Sequence, residues 1–252
     1  MLNILIRPFV SKLFGFIMDS PLSILFIKGF IKRNKIDMNE YENARFSSFN
    51  EFFSREVKKE YRPFSDNTND LISPCDGKLT VYQINAGSVF HIKNSIYDLN
   101  VLLQDKPLAE DYNNGVCLIF RLTPSDYHRY CYIDNGEIAS SKKINGVLHT
   151  VRPVSLKHYN IYKLNSREYS IMQTENFGKV IQIEVGALFV GRIKNHISSG
   201  LFERRKEKGM FEFGGSTIIM LFQKDKAVID GAIWNNTRLN KETIVKMGCK
   251  IG

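Results

Sequence analysis

Apolar positions in residues 1–36 recur at helical spacing. Ile6, Phe9, Val10, Leu13, Phe14 and Ile17 form one stripe, with Arg7, Ser11 and Lys12 off it. Ser20-Pro21 then reads as an N-cap and first-turn proline opening a second helix. That helix carries Leu22, Ile24, Leu25, Phe26, Ile27, Phe30 and Ile31, with Lys28, Lys32 and Arg33 toward its end. A third helix is predicted from Ser48, because Ser48-Phe49-Asn50-Glu51 has capping-box spacing and Phe49, Phe52 and Phe53 then share one face. Arg62-Pro63 closes the helical region with an extended segment.

From about residue 71 the pattern changes to strands and turns. Strands are predicted over Lys78–Ile84 after Asp76-Gly77, over Val116–Leu122 before Thr123-Pro124, and where Ile181, Ile183 and Val185 alternate with Gln182 and Glu184. Ala187–Val190, flanked by Gly186 and Gly191, and Thr217–Phe222, entered from Gly214-Gly215-Ser216, complete the set. Asn135-Gly136 and Asn145-Gly146 are hairpin-type turn signals. Residues 71–230 hold no long helical pattern. The expected class is α+β: N-terminal amphipathic helices followed by a β-rich antiparallel barrel or sandwich core.

Composition adds bounds. A chain of 252 residues with 43% hydrophobic content builds one ordinary core, with room for a small accessory segment. Lys and Arg number 35 against 26 acids, a net charge of +9 that suits nucleic acid, an anionic membrane or an acidic small molecule. No zinc-finger, RNP-type or helix-turn-helix pattern is present, which argues against nucleic acid. Cys75, Cys117, Cys131 and Cys249 form no CxxC pair and the five histidines are scattered, so neither disulfides nor a metal is indicated. No small-residue cleavage site follows the first apolar stretch, so the expected context is reducing and cytoplasmic.

Charge also changes the reading of the N-terminus. Asp19 is the only acid before Asp37, against six basic residues. Leu13–Ile31 is nearly long enough to span a bilayer, but Asp19, Ser20, Pro21 and Lys28 argue against a spanning helix. A helical pair lying in a membrane interface fits the pattern. Two helices packed on the protein's own core is the alternative.

Phe213-Gly214-Gly215-Ser216-Thr217 carries the candidate chemistry. Two glycines free the backbone before a serine whose hydroxyl can attack the Gly215 carbonyl, if that peptide is distorted and the developing oxyanion is held. The resulting ester can eliminate and hydrolyse to leave a pyruvoyl group on a new N-terminus. Alone, Gly-Gly-Ser is an ordinary turn.

The context is more specific. Ser48-Phe49-Asn50-Glu51-Phe52-Phe53, Ser73-Pro74-Cys75-Asp76-Gly77-Lys78 and Thr123-Pro124-Ser125-Asp126-Tyr127-His128-Arg129 come first. Phe177-Gly178-Lys179, Glu184-Val185-Gly186-Ala187 and Lys208–Thr217 follow in order. Together these blocks closely resemble the bacterial phosphatidylserine decarboxylase family, from about residue 46 to residue 223.

The resemblance implies an enzyme, a pyruvoyl-dependent carboxy-lyase. In such an enzyme Asp76, His128 and Ser216 act in self-cleavage between Gly215 and Ser216, giving chains 1–215 and 216–252. The pyruvoyl group made from Ser216 is the covalent cofactor, and no metal is implied. It forms a Schiff base with phosphatidylserine and releases carbon dioxide, giving phosphatidylethanolamine, with His128 the candidate acid for the carbanion. Residues 1–47 would be a membrane-associating segment and 48–252 the decarboxylase domain. Implied partners are phosphatidylserine, an anionic membrane surface on the cytoplasmic side and the protein's own two cleaved chains. The oligomeric state stays open, a homo-oligomer included.

One position departs from the family pattern. Many members carry a second histidine three residues after the first, and here Cys131 stands there. The self-cleavage base is then either His128 itself or a substitute, for which His149 in Val147-Leu148-His149-Thr150 is the candidate. A pyruvoyl decarboxylase of a soluble amino acid and a non-catalytic membrane-binding β module are the competing readings. A serine hydrolase is disfavoured because no Gly-x-Ser-x-Gly elbow is present.

Overall fold

A computed structural model describes residues 15–42, 45–92, 95–146, 165–186, 192–212 and 216–252. The expected α+β class is what these residues form, with few helices and a large antiparallel sheet. That sheet has eight strands in the order β10-β6-β7-β8-β12-β4-β1-β13 and is open, with β10 and β13 at its edges, rather than closed into a barrel. Its centre is β1 (Gly77–Gln83), β4 (Val116–Leu122), β8 (Gly178–Gly186) and β12 (Ser216–Phe222). Outside them lie β6 (Gly136–Ile144), β7 (Arg167–Thr174), β10 (Gly200–Phe202) and β13 (Thr243–Val245).

Strand β12 is buried along its whole length because β4 and β8 flank it on both sides. This explains its unbroken apolar run, since a central strand covered on both faces has no polar alternation. Leu118, Phe120, Leu122, Ile218 and Met220 point into one core. Cys117, Ile119, Ile183, Ile219 and Leu221 point into another across the sheet. Over the first face lies a three-stranded sheet of β5 (Arg129–Cys131), β11 (Glu207–Phe211) and β9 (Ile193–Asn195), which contributes Tyr130 and Phe211 to that core. The strands β2 (Val89–Ile92) and β3 (Ser95–Asp98) pair with each other.

The N-terminal region forms several short elements. Residues 15–19 are helical, Pro21–Phe26 is a 3-10 turn, and α1 follows at Ile27–Asn34. Ser20 does hold the N-cap position with proline behind it, but its hydroxyl donates back to Ile17 O at 2.7 Å instead of capping. Buried Ser23 accepts from Phe49 N at 2.8 Å, tying this turn to α2 (Phe49–Phe53). Ser48 caps α2 by accepting from Glu51 N at 3.2 Å, while the Glu51 carboxylate accepts from Ser47 N and Ser47 Oγ rather than from Ser48. The predicted phenylalanine face is real: Phe49, Phe52 and Phe53 are buried against Met18, Ile27 and Tyr127, with Phe30 edge-on to all three rings.

Two turn signals act differently from hairpins. Gly136 opens β6, whose neighbours are β7 and β10, so Asn135-Gly136 does not join two paired strands. Strand β6 ends at Ile144 and its partner β7 begins at Arg167, so Asn145-Gly146 leads into a longer connection. The predicted strand Ala187–Val190 lies outside the described residues, as does the first helical stripe up to Phe14. Short helices α3 (Leu99–Leu103) and α4 (Lys106–Glu110) sit within the β-rich region, and α5 (Gly231–Arg238) follows β12.

Candidate active site

Asp76 sits immediately before β1, where the chain runs against the end of β4. A side chain on Gly77 would meet Arg121 O at 3.0 Å, and Gly77 has φ +154°, so glycine is required for this approach. The Asp76 carboxylate is fully buried and has four donors. Arg62 binds it through Nε at 2.8 Å and Nη2 at 2.6 Å, Lys246 Nζ donates at 3.1 Å, and Met247 N donates at 2.9 Å. Burial works to raise its pKa. The bonds and charge of Arg62, with the Lys246 charge, outweigh burial and hold the carboxyl below its ordinary value.

His128 follows a turn at the end of β4. Asp126 fixes that turn by accepting from Thr123 N and Thr123 Oγ1 at 2.6 and 2.7 Å. The imidazole is buried with Nδ1 2.8 Å from Asp126 O, and its ring centre is 4.0 Å from that of Phe53. A carbonyl only accepts, so Nδ1 carries the proton and Nε2 keeps its lone pair. Nε2 is buried without a hydrogen-bond partner among the described residues. Burial, reinforced by the Arg55 charge, pushes the pKa down to about 3, against the weaker opposite pull of the Asp126 carbonyl and the Asp76 charge. The imidazole is therefore neutral at physiological pH.

Ser216 opens β12, opposite Leu122 on β4 and Gly186 on β8. Its Oγ is also buried without a hydrogen-bond partner among the described residues. The register brings three sequence-distant sites to one end of the sheet. Asp76 precedes β1 where that strand meets the end of β4, Ser216 faces the last residue of β4, and His128 lies six residues beyond it. His128 also returns beside the strand that leads to Ser216, since Phe211 N donates to His128 O at 2.9 Å. No hydrogen bond joins Asp76 to His128: the carboxylate is committed to Arg62, Lys246 and Met247, and the Asp126 carbonyl orients the ring. Gly215 and His149 lie outside the described residues.

Cys131 is buried on β5, and burial pushes its thiol up to about 12, so it is protonated at neutral pH. A cavity of about 720 Å³ opens beside this region, lined in part by Arg62, Met247, Tyr127, Arg129 and Cys131. A second, of about 800 Å³ around Tyr132, His196 and Phe202, contains none of the three site residues. None of the three lines the first cavity either, but Arg62 and Met247, which bind Asp76, and Tyr127 and Arg129, which flank His128, do.

Sequence reasoning missed the residues that hold Asp76. Arg62 marked only the end of a helical region, and nothing singled out Lys246 or Met247. It also missed a buried pair on the face that Ser216 shares. Lys208 Nζ donates to Glu184 Oε1 at 2.8 Å and to Asn195 Oδ1 at 3.0 Å, while Gln182 Nε2 donates to the same Glu184 oxygen at 3.0 Å. Both ions are fully buried, and burial works to raise the Glu184 carboxyl. Glu184 and Gln182 at alternate positions of an otherwise apolar strand were the available signal.

No group of metal-ligating side chains occurs among the described residues. None of the described helices is long and apolar enough to cross a membrane. Phe16, Leu22, Leu25 and Phe26 are nonetheless exposed, Leu25 at 81%, alongside exposed Lys28, Lys32 and Arg33.

Comparison with known proteins identifies the family. A family model described as phosphatidylserine decarboxylase matches residues 49–252. The chain is 51% identical over 242 residues to phosphatidylserine decarboxylase proenzyme 2 of Clostridium acetobutylicum, covering 96% of this chain and 83% of that protein. It is 43% identical over 251 residues to the phosphatidylserine decarboxylase proenzyme of Clostridium botulinum, covering 98% and 85%. With that of Clostridium tetani it shares 41% over 251 residues, covering 98% and 84%. The class is that of the carboxy-lyases. Within it, the chain belongs to the phosphatidylserine decarboxylase family.

Proposed function

We propose that this chain cleaves itself between Gly215 and Ser216 and then decarboxylates phosphatidylserine to phosphatidylethanolamine. The observation that carries the proposal is that Ser216 Oγ, facing the end of β4, and His128 Nε2, six residues beyond that end, are both buried and without a hydrogen-bond partner among the described residues. Leaving a buried polar atom unpaired costs about 1–3 kcal/mol, so two such atoms favour a reactive site over a settled core.

In the proposed cleavage, His128 Nε2 takes the proton of Ser216 Oγ as that oxygen attacks the Gly215 carbonyl carbon. The proton passes to the Ser216 amide nitrogen as the peptide bond becomes an ester. Loss of the Ser216 Cα proton then breaks the Cβ–O ester bond, frees the Gly215 carboxylate and leaves a dehydroalanine. Its imine tautomer takes up water to release ammonia and leave the pyruvoyl group. A neutral imidazole with Nδ1–H held by Asp126 suits the first step. Asp76 contributes negative charge that favours the transient imidazolium, acting through space.

Ser216 fits this prosthetic group because its side chain is unpartnered and its strand stays pinned on both sides after the cut. The pyruvoyl group supplies a ketone that takes the substrate amine and accepts the electrons released as carbon dioxide leaves. His128, neutral at rest, takes the proton that the substrate ammonium must lose at Nε2 and holds it for return to the substrate carbon. The acid role expected for His128 thus depends on a proton acquired from substrate.

Residues 1–47 are proposed as the membrane-associating segment, seated peripherally on the cytoplasmic side, because their exposed apolar and basic side chains lie together. The mass of the purified chains tests the central proposal. Two chains, 1–215 and 216–252, are expected from the natural sequence, and one uncut, inactive chain from Ser216→Ala. Cleavage of the Ser216→Ala variant at the same bond overturns it.

A further inference from the structure

Arg55 lies just beyond α2 and is 2% exposed. Among the described residues no carboxylate lies within ion-pair distance of it. Its guanidinium carbon sits 4.1 Å from the Tyr41 ring centre and 5.0 Å from that of Phe52. Nη1 donates to Phe52 O at 3.4 Å, and Nη2 donates to Tyr41 Oη at 3.0 Å and to Ser125 O at 3.3 Å. Nε is buried and has no hydrogen-bond partner among the described residues.

A buried cation without a counter-ion is costly to take out of water. Here the rings of Tyr41 and Phe52 return part of that cost. The Ser125 bond points to what the rest serves, because Ser125 belongs to the turn that delivers His128. Phe53, two residues before Arg55, is packed on the His128 ring.

We propose that Arg55 is a positioning residue for His128: it anchors the 123–128 turn and, by its unneutralised charge, keeps the imidazole free of a second proton. This rests on the reading of His128 as the proton acceptor in self-cleavage. The other charged groups around His128 have partners. Asp76 is paired with Arg62 and Lys246, Arg129 is paired with Glu207 and Glu56, and the Asp126 carboxylate is held by hydrogen bonds from Thr123, which leave its charge in place. Among the described residues Arg55 has no carboxylate within ion-pair distance, and its charge reinforces the effect of burial on the imidazole.

The sign of the effect follows. Removing the Arg55 charge lets His128 hold a proton at higher pH, so the acid limb of self-cleavage moves upward. A single nearby charge sets a scale of roughly one pH unit.

The test follows conversion of uncut chain to 1–215 and 216–252 by intact mass at a series of pH values, after cell-free synthesis of the full chain. Natural chain, Arg55→Lys and Arg55→Met are compared by the position of the acid limb, which loss of folded material alone does not move. The expected result is a limb shifted to higher pH in Arg55→Met and restored in Arg55→Lys. A limb unmoved in both variants, or moved equally in both, overturns the proposal. If Arg55→Met yields no folded chain, Arg55→Lys decides: an unshifted limb supports the charge argument and a shifted one overturns it. Failure of the underlying reading is distinguishable, because His128→Ala would then process normally.

Discussion

Asp76 and Arg62 form a buried bidentate ion pair, 2.8 Å through Nε and 2.6 Å through Nη2, in which the carboxylate is fully buried and the guanidinium nearly so. Asp76 is thus held from before the proposed cleavage point, through Arg62, and from beyond it, through Lys246 and Met247. Breaking one partner of such a buried pair typically costs about 3–5 kcal/mol. Arg62→Met is expected to lose stability on that scale in urea unfolding. The folded Asp76 pKa lies below its unfolded value, so its contribution is present above the unfolded pKa and lost as pH falls through the folded one. In Arg62→Met that loss should begin at higher pH.

After the proposed cut the two chains should stay together without denaturant. Strand β12 pairs with β4 and β8 along its full length, and β13 pairs with β1. The last residues are stitched to the first chain by Leu71 N to Gly252 O, Ser73 N to Cys249 O and Ile251 N to Leu71 O. Size-exclusion chromatography should give one species holding both masses, which separate only on unfolding. Separation under native conditions would contradict this.

His128 and His149 divide the proton chemistry in a way that masses and rates can resolve. If His128 is the cleavage base, His128→Ala should remain uncut and His149→Ala should process normally. If His149 is the base, the outcomes exchange, with His128→Ala cut but slow in turnover. Cys131→Ser should process in either case, because a buried thiol pushed up to about 12 keeps its proton near neutrality and cannot act as the base. Failure of Cys131→Ser to process, with the fold intact, would return Cys131 to the mechanism.

Much of the fold was legible because burial writes directly into pattern. Val116–Leu122 is the observed β4, and Thr217–Phe222 is β12 less its first residue. The Ser48 cap and the face shared by Phe49, Phe52 and Phe53 also follow from local rules. Open sheet versus closed barrel was not legible, since both give the same alternation along each strand. The partners of Asp76 were hidden for a different reason. Arg62, Lys246 and Met247 come together only through tertiary pairing of the C-terminal residues with residues 65–77, and a lone Arg or Lys has no spacing that announces a buried role. Orphaned Nε2 and Oγ atoms are likewise invisible until the fold removes their water.

The Lys208–Glu184 pair joins β11 to β8, the strands that lead toward Ser216 and lie beside it. Lys208→Met should leave Glu184 buried without its counter-ion and cost about 3–5 kcal/mol, whereas Lys208→Met with Glu184→Leu should recover a large part of that loss. Urea midpoints of the two variants check this. An equal loss in both would mean that the hydrogen bonds of Asn195 and Gln182, rather than charge, govern the site.

Membrane binding is best tested at the exposed side of the N-terminal segment. Removing residues 1–36 altogether should lower vesicle co-sedimentation and leave the remainder less salt-sensitive, but it would also strip Met18, Ile27 and Phe30 from the phenylalanine cluster. Leu22 and Leu25 avoid that difficulty, being 76% and 81% exposed. Fully burying a leucine side chain is worth roughly 1.5–3 kcal/mol, and each basic residue near an anionic surface adds about 1 kcal/mol. Leu22→Asp with Leu25→Asp is therefore expected to weaken binding to phosphatidylserine-containing vesicles at least about tenfold, each tenfold being ~1.4 kcal/mol. Lys28→Gln with Lys32→Gln should act mainly at low salt, because screening already removes that contribution at high salt. Chain masses should stay those of the processed protein in all four substitutions, since none touches Asp76, His128 or Ser216. Unchanged vesicle binding in the double aspartate variant would mean that another surface meets the bilayer and that this segment serves the core alone.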